Sequence, residues 1–163
     1  MENFDEICDL ENFFQQSETF KNNKPFKYAF IEGFFKRDFY EKLFETYPEY
    51  EKDDGYWSTS TLFTKHQFYR GWGKYNPHNY VGQDSDPKLS PEWNKFFRFL
   101  HSDEFLNALK KFSGVAVDKM RTFRFMLYHK GGFQLPHIHN DGPSTLIVFF
   151  YFSKGWEKGD PGG

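Results

Sequence analysis

Two histidines and an aspartate lie near the end of this 163-residue chain, and they are its best candidates for binding a metal ion. His139 and Asp141 are two residues apart, so on an extended backbone both side chains project to the same face, where they could bind one cation. On a helix the same side chains would point apart. His137 is a third candidate, two residues before His139.

The chain on either side of these residues predicts how they are held. Upstream, apolar and polar side chains alternate through 119–129 and predict a strand, which leads through Tyr128 into a glycine-bearing turn at Gly131. Downstream, the apolar run 146–152 predicts a buried strand. We therefore expect a metal-binding strand, turn and strand over 119–163.

A His-x-Asp pair is weak on its own, because the chain has six histidines and contains a second match, His101-Ser102-Asp103. That second pair begins a predicted helix, where its geometry does not suit a metal. The sequence context, and not the motif alone, therefore distinguishes His139 and Asp141.

Composition limits the classes of function. The net charge of -2 gives no sign of the broad basic surface that binds duplex nucleic acid. A single cysteine, Cys8, excludes an internal disulfide and multi-cysteine zinc sites. We find no secretory signal and no apolar run of membrane-spanning length, so we expect a cytoplasmic protein without a membrane partner. Aromatic residues make up 23% of the chain, and core packing is their expected use.

Helix and strand signals organise the rest of the chain. Residues 1–24 are predicted to be an N-terminal extension with a short helix near 10–20, and the alternation after Pro25 predicts a strand over 26–33. Helical spacing predicts an amphipathic helix over 36–47. Ser90 and Ser102 are expected to cap two further helices, the second of which ends at Gly114.

The long stretch 49–88 has no sustained periodicity and predicts loops with short strands. Aromatic and basic side chains alternate there, and Arg70, Trp72 and Tyr75 are candidates for a rim that contacts substrate. The alternative interpretation is a surface loop that buried aromatic side chains hold in place.

Taken in order, several motifs resemble those of the iron(II)- and 2-oxoglutarate-dependent dioxygenases, nearest their prolyl-4-hydroxylase-like branch. That family reads Y-x-x-G, then H-x-D, then Y-L-N-x-x-W, then G-G. The matching residues here are Tyr128, Gly131, His139, Asp141, Tyr151, Trp156 and the pair Gly162-Gly163. The segments PFKYAFIEGFFKRDFYEKLFETYPE and HSDEFLNALKKFSGV also resemble the family, so the likeness covers about residues 25–163.

The resemblance implies an α+β fold whose core is a double-stranded β-helix, the jelly-roll barrel also found in cupins, with N-terminal helices packed on the barrel. It implies iron(II) and 2-oxoglutarate as cofactors, with ascorbate as a further one, and oxygen as the second reactant. The implied reaction is hydroxylation of an unactivated C–H bond in a peptide or small molecule, such as a prolyl or proline-like substrate. His139 and Asp141 would be two ligands of a two-histidine, one-carboxylate triad. Tyr128 and Tyr151 would bind the distal carboxylate of 2-oxoglutarate.

Three departures from the family pattern affect these expectations. His137 competes with His139 for the ligand position, and a set of His137 and His139 is the alternative. Ser153 stands where the family has asparagine. The third ligand and the Arg or Lys that pairs with 2-oxoglutarate follow the G-G pair in the family, and no residue follows Gly163. We therefore expect an incomplete domain over 25–163 that lacks its C-terminal strands, binds iron weakly and shows no turnover.

Two other functions remain open at this point. A non-catalytic β-helix binding module with a partial metal site would use the aromatic rim as its working surface. A cupin-type metal protein is favoured by the spacing of Gly131, His137 and His139, but Pro143 and Ser144 stand where a cupin's glutamate is expected.

Overall fold

The computed structural model describes residues 3–52, 55–59, 64–72, 85–137, 145–155 and 157. These residues fall into two units, one within 1–47, 81–121 and 142–146 and the other within 48–80, 122–141 and 147–163. Across the described ranges, the first contains five helices and the second a three-stranded antiparallel sheet. The predicted α+β class is confirmed at this level.

The helices of the first unit are α1 Leu10–Gln15, α2 Ser17–Asn22, α3 Arg37–Glu45, α4 Pro91–His101 and α5 Asp103–Ser113. Both predicted caps are confirmed. The Ser90 hydroxyl accepts a hydrogen bond from the Trp93 amide, and the Ser102 hydroxyl accepts one from the Phe105 amide, each at 3.2 Å. Gly114 ends α5 with a φ of 71°, a left-handed conformation that glycine adopts without steric cost.

Phenylalanine rings form much of the core of this helical unit. Phe99 of α4 is fully buried, with its ring centroid 4.9 Å from that of Phe105 in α5. Phe13 of α1 stacks on Phe112 of α5 at 4.3 Å, so the predicted N-terminal extension packs against the helices. The expectation that aromatic side chains fill the core is confirmed for this unit.

The sheet of the second unit has the order β1-β2-β3, with β1 Trp57–Thr59, β2 Thr64–Arg70 and β3 Phe125–Gln134. β1 and β2 are the short strands expected within 49–88. β3 begins six residues later than the predicted strand over 119–129 and continues through the glycines, where we expected a turn.

Two predicted strands are corrected. Residues 26–33 form no strand, and the rings of Phe26, Tyr28 and Phe30 are exposed along this segment. Side-chain amides bind its carbonyls instead, since Asn23 Nδ2 donates to the Tyr28 oxygen at 2.9 Å and Asn12 Nδ2 to the Glu32 oxygen at 2.7 Å. Periodicity shows which side chains share a face, but it does not supply a neighbouring strand.

The prediction of a buried strand over 146–152 was also wrong. This segment is in no assigned strand, and the side chains of Ile147, Val148, Phe149 and Tyr151 are exposed. The apolar run is compatible with burial on both faces, but burial needs other elements to cover those faces.

No helix among the described residues is both long enough and apolar enough to cross a membrane.

Candidate functional site

The predicted metal ligands His139 and Asp141 lie outside the described residues, as does Tyr75 of the predicted substrate rim. His137 is described and exposed, with its Nδ1 atom 3.1 Å from the backbone oxygen of Leu135. Within the described ranges, no group of three or more His, Cys, Asp or Glu side chains is arranged to hold a metal ion. The second His-x-Asp match was expected to begin a helix, but only Asp103 does so, since His101 is the last residue of α4 and Asp103 the first of α5.

The predicted cosubstrate ligand Tyr128 lies on β3, where the pairing with β2 fixes its neighbours. Tyr128 pairs with Gln67 and Met126 pairs with Tyr69, so these four side chains share one face of the sheet. Arg70 and Phe125, which also pair, lie on the opposite face. The sheet therefore separates Tyr128 from one member of the predicted substrate rim.

Beyond Tyr128 the β2–β3 ladder contains a large bulge. Gln67 pairs with Tyr128 and Lys65 pairs with Phe133, so His66 alone opposes residues 129–132. His66 has a φ of 50°, which is unusual for a residue with a side chain. A Cβ at Gly132 would lie 2.8 Å from the His129 oxygen, so only glycine fits there without a shift in the backbone. The expected glycine turn is therefore a bulge within a strand.

Two side-chain amides form hydrogen bonds with the Tyr128 hydroxyl. Gln67 is only 4% exposed, and its Nε2 donates a hydrogen bond to the Tyr128 hydroxyl oxygen. The same Nε2 lies 3.8 Å from the Met126 sulfur. The Tyr128 hydroxyl in turn donates to Gln134 Oε1 at 3.4 Å. We call Gln67, Tyr128 and Gln134 the tyrosine cluster.

The pKa of Tyr128 is raised above the usual tyrosine value. Partial burial is the largest cause: Tyr128 is 42% exposed, and its buried part disfavours the charged phenolate. The hydrogen bond from Gln67 lowers the pKa, and the electrostatic interaction with Tyr151 raises it. Tyr128 is therefore a neutral hydrogen-bond donor at physiological pH. Tyr151, the other tyrosine predicted to bind the carboxylate, therefore lies near enough to affect Tyr128 electrostatically.

The other predicted rim residues lie in an aromatic environment. Arg70 is 3% exposed, and its guanidinium carbon lies 5.0 Å from the centroid of the Tyr56 ring and 5.6 Å from that of Phe125. Such distances are typical of cation–π contacts. Trp72 makes an edge contact with Phe123 at 5.9 Å. Arg70 thus packs within the sheet unit and presents little surface to a substrate.

Cys8 does not supply a reactive nucleophile. The side chain is buried, and burial raises the pKa of its thiol to about 12, with the charges of Glu104 and Asp9 acting in the same direction. The thiolate is the nucleophilic form, so little of it exists near neutral pH.

Sequence reasoning missed Gln67 and Gln134. The alternation in KHQFYR places Gln67 and Tyr69 on one face of a strand, which is the only signal that the sequence offers for the first residue. Which of the two faces becomes buried depends on the pairing with β3. Gln134 approaches Tyr128 from six positions along the same strand, with the bulge between them, and local periodicity does not predict a bulge of this size.

Comparisons with protein-family models, with curated proteins and with solved structures found no match to this chain. A functional interpretation therefore depends on the motifs and on the geometry around Tyr128.

Proposed function

We propose that this chain is part of an iron(II)- and 2-oxoglutarate-dependent dioxygenase that hydroxylates an unactivated C–H bond, with a proline-like side chain as the favoured substrate class. The proposal includes the finer fold, a double-stranded β-helix of which the observed antiparallel sheet would be one portion. It rests on the ordered motifs from Tyr128 to Gly163, with His139 and Asp141 as the iron ligands.

The observation that supports the proposal best is the geometry at the Tyr128 hydroxyl, which the motif order selects as a cosubstrate ligand. Gln67 donates a hydrogen bond to the hydroxyl oxygen, and the hydroxyl itself donates to Gln134 Oε1 at the long distance of 3.4 Å. A neutral phenol is a suitable hydrogen-bond donor for a carboxylate such as the distal one of 2-oxoglutarate. Tyr151, the second tyrosine that the motif order selects, makes the smallest of the three contributions to the pKa of Tyr128.

The chemical types of the proposed ligands suit iron, because imidazole and carboxylate are the donors that non-haem iron oxygenases use with open positions left for cosubstrate. When bound, iron and 2-oxoglutarate would supply the oxidising power of the reaction. The chain itself would bind and orient: His139 and Asp141 would hold the metal, and the Tyr128 hydroxyl would donate a hydrogen bond to the cosubstrate.

Metal binding by the 163-residue chain tests the ligand assignment. Under anaerobic conditions we expect weak iron(II) binding that falls by more than about tenfold in His139→Ala and in Asp141→Ala, since each substitution removes one ligand. His137→Ala is the matched control and should bind iron within roughly twofold of the wild type. Calorimetry gives the affinities, and circular dichroism checks that each variant is folded.

Two outcomes count against parts of this assignment. If His137→Ala and His139→Ala both abolish binding while Asp141→Ala does not, the alternative ligand pair is correct. If iron binds equally well to all three variants, the dioxygenase proposal is wrong. Where the natural reading frame continues beyond Gly163, the longer protein should also form succinate from 2-oxoglutarate in an iron-dependent reaction that His139→Ala abolishes.

A further inference from the structure

Gln67 is a buried amide whose orientation is fixed by its surroundings. One atom of the amide, assigned as Nε2, faces both the Met126 sulfur at 3.8 Å and the Tyr128 hydroxyl oxygen. A thioether sulfur is only an acceptor, so the amide atom beside it is the donor NH₂ group. The assignment of Nε2 to this position is therefore the one that satisfies both neighbours.

This orientation determines where the Tyr128 proton points. Gln67 donates into the phenol oxygen, so the phenol cannot use its own proton in that bond. The proton is directed to Gln134 Oε1, at 3.4 Å. Typical O–H···O hydrogen bonds measure about 2.7–2.8 Å, so this contact is long and weak. Gln134 is also exposed, and its side chain can move into solvent.

We propose that Gln67 is a positioning residue, which commits the Tyr128 hydroxyl to donate to a carboxylate ligand, and that Gln134 is the temporary acceptor which this ligand displaces. The identity of the ligand as 2-oxoglutarate rests on the proposed function, whereas the direction of the hydrogen bond does not. A carboxylate oxygen is a stronger acceptor than an amide oxygen, so the exchange replaces a weak bond by a charge-assisted one.

Substitutions of the two glutamines are expected to change the affinity for 2-oxoglutarate in opposite directions. Two residues with purely structural roles would not give opposite effects. Gln67→Met keeps the length of the side chain but removes the donor, so the Tyr128 hydroxyl loses its orientation and should bind 2-oxoglutarate roughly fivefold or more weakly. Gln134→Ala removes the competing acceptor and should bind it more tightly, by about twofold. Gln15→Met, an exposed residue of α1, is the matched control and should have no effect.

The measurement uses the 163-residue chain with ¹³C-labelled tyrosine, first without ligand. The hydrogen bond from Gln67 lowers the pKa of Tyr128 in the wild type, so Gln67→Met should raise that pKa further. The Tyr128 ring-carbon signal is assigned by its absence from Tyr128→Phe and followed through an alkaline titration. An unchanged Tyr128 pKa in a folded Gln67→Met variant would overturn the positioning role.

Titration with 2-oxoglutarate then follows the same signal, with its dimethyl ester as the uncharged probe. Tighter binding by Gln134→Ala together with weaker binding by Gln67→Met supports the proposal, and binding of the dimethyl ester with equal affinity overturns it. If Gln67→Met does not fold, the affinity of Gln134→Ala for 2-oxoglutarate still tests the proposal. Removal of a purely structural contact at Gln134 would not make 2-oxoglutarate bind more tightly, whereas removal of a competing acceptor would. If the Tyr128 pKa responds as expected but 2-oxoglutarate does not bind, the hydrogen-bond direction stands and the carboxylate ligand, with the proposed function, is wrong.

Discussion

The helical unit and the sheet unit draw on the same aromatic-rich composition and use it differently. In the helical unit Trp93, Phe96 and Phe99 are almost completely buried and their rings contact one another. In the sheet unit Phe149 and Tyr151 are 58% and 62% exposed. A helix satisfies its own backbone and needs only a neighbour for one face, whereas a strand needs partners at its edges and cover on its faces.

Both units bury polar side chains, but Asp86, Asn94 and Ser113 of the helical unit form hydrogen bonds with backbone groups. Gln67 is buried beside the Tyr128 hydroxyl, and Arg70 is buried among aromatic rings. Buried polar groups lower stability unless their hydrogen bonds are made. The two units thus differ in what surrounds their buried polar groups, which is backbone in the helical unit and a tyrosine hydroxyl or aromatic rings in the sheet unit.

The largest effect that tests this difference is expected at Phe99. Phe99→Ala should lower the free energy of unfolding by about 3–5 kcal/mol, because it removes a fully buried ring that contacts Phe105 and leaves a cavity. Phe149→Ala is the matched control in the sheet unit and should change it by less than about 0.5 kcal/mol. Urea denaturation followed by circular dichroism and by fluorescence compares the two variants. Equal losses would mean that Phe149 is buried in solution and would remove the contrast between the units.

A smaller loss is expected at a buried polar network of the helical unit, which is centred on Asn94. Asn94 Oδ1 accepts a hydrogen bond from the Asp86 amide at 2.6 Å, and Nδ2 lies within 3.1 Å of the backbone oxygens of Asp86, Leu89 and Ser90. Asn94→Ala should lower the free energy of unfolding by about 2–3 kcal/mol, because buried backbone groups lose their partner. Alanine is a better helix former than asparagine, so helix propensity alone would raise the free energy of unfolding.

Asn22→Ala provides the comparison for Asn94, since the Asn22 amide also binds a carbonyl, that of Glu18, but at an exposed position. Its effect should be within about 0.5 kcal/mol of zero. A similar change in both variants would show that burial is not what makes the Asn94 network important.

The next effect in size concerns the junction between α4 and α5. Ser102→Ala removes the hydroxyl that accepts from the Phe105 amide and donates to the Phe99 oxygen at 2.6 Å. We expect a loss of about 1 kcal/mol in unfolding free energy. Ser102→Asp keeps the acceptor at the positive end of α5 and should recover much of this loss. Failure of Ser102→Asp to recover any stability would assign the effect to the bond with Phe99 instead.

These differences also explain how much of the structure the sequence predicts. The helix caps Ser90 and Ser102 and the stop at Gly114 are confirmed, because capping and left-handed glycine depend on a few neighbouring residues. Residues 26–32 and 146–152 carry good strand patterns but form no strand among the described residues. A pattern of alternating or continuous apolar residues shows that a segment could be buried as a strand. Whether it becomes one depends on neighbouring strands and covering elements from other parts of the chain.

The candidate site shows the same division. Motif order selected Tyr128 and Tyr151, and their role in binding 2-oxoglutarate stays a prediction. Gln67 and Gln134 could not be selected, because their approach to Tyr128 depends on the strand register and on the bulge at residues 129–132. The roles of His139 and Asp141, which lie outside the described residues, remain predictions.

The smallest expected effect is a change in stability at alkaline pH that belongs to the tyrosine cluster. The pKa of Tyr128 is raised by folding, so the folded state favours the protonated phenol. That contribution is fully present below the unfolded pKa of about 10 and is lost as the pH rises through the higher folded value. Tyr128→Phe has no phenol to ionise, so its unfolding free energy should fall less steeply above pH 10 than that of the wild type.

Urea denaturation at intervals from pH 8 upward measures this difference. Below pH 9 the difference in unfolding free energy between the wild type and Tyr128→Phe should be constant. Tyr151→Phe refines the comparison, because it removes the electrostatic interaction that helps to raise the pKa of Tyr128. The unfolding free energy of Tyr151→Phe should fall with pH at a slope between those of the wild type and Tyr128→Phe, because the pKa of Tyr128 is then raised less. Parallel curves for the wild type and Tyr128→Phe at all pH values would show that Tyr128 is as solvated when folded as when unfolded. The partly buried hydroxyl of Tyr128 would then contribute nothing to the pH dependence of the stability of the sheet unit.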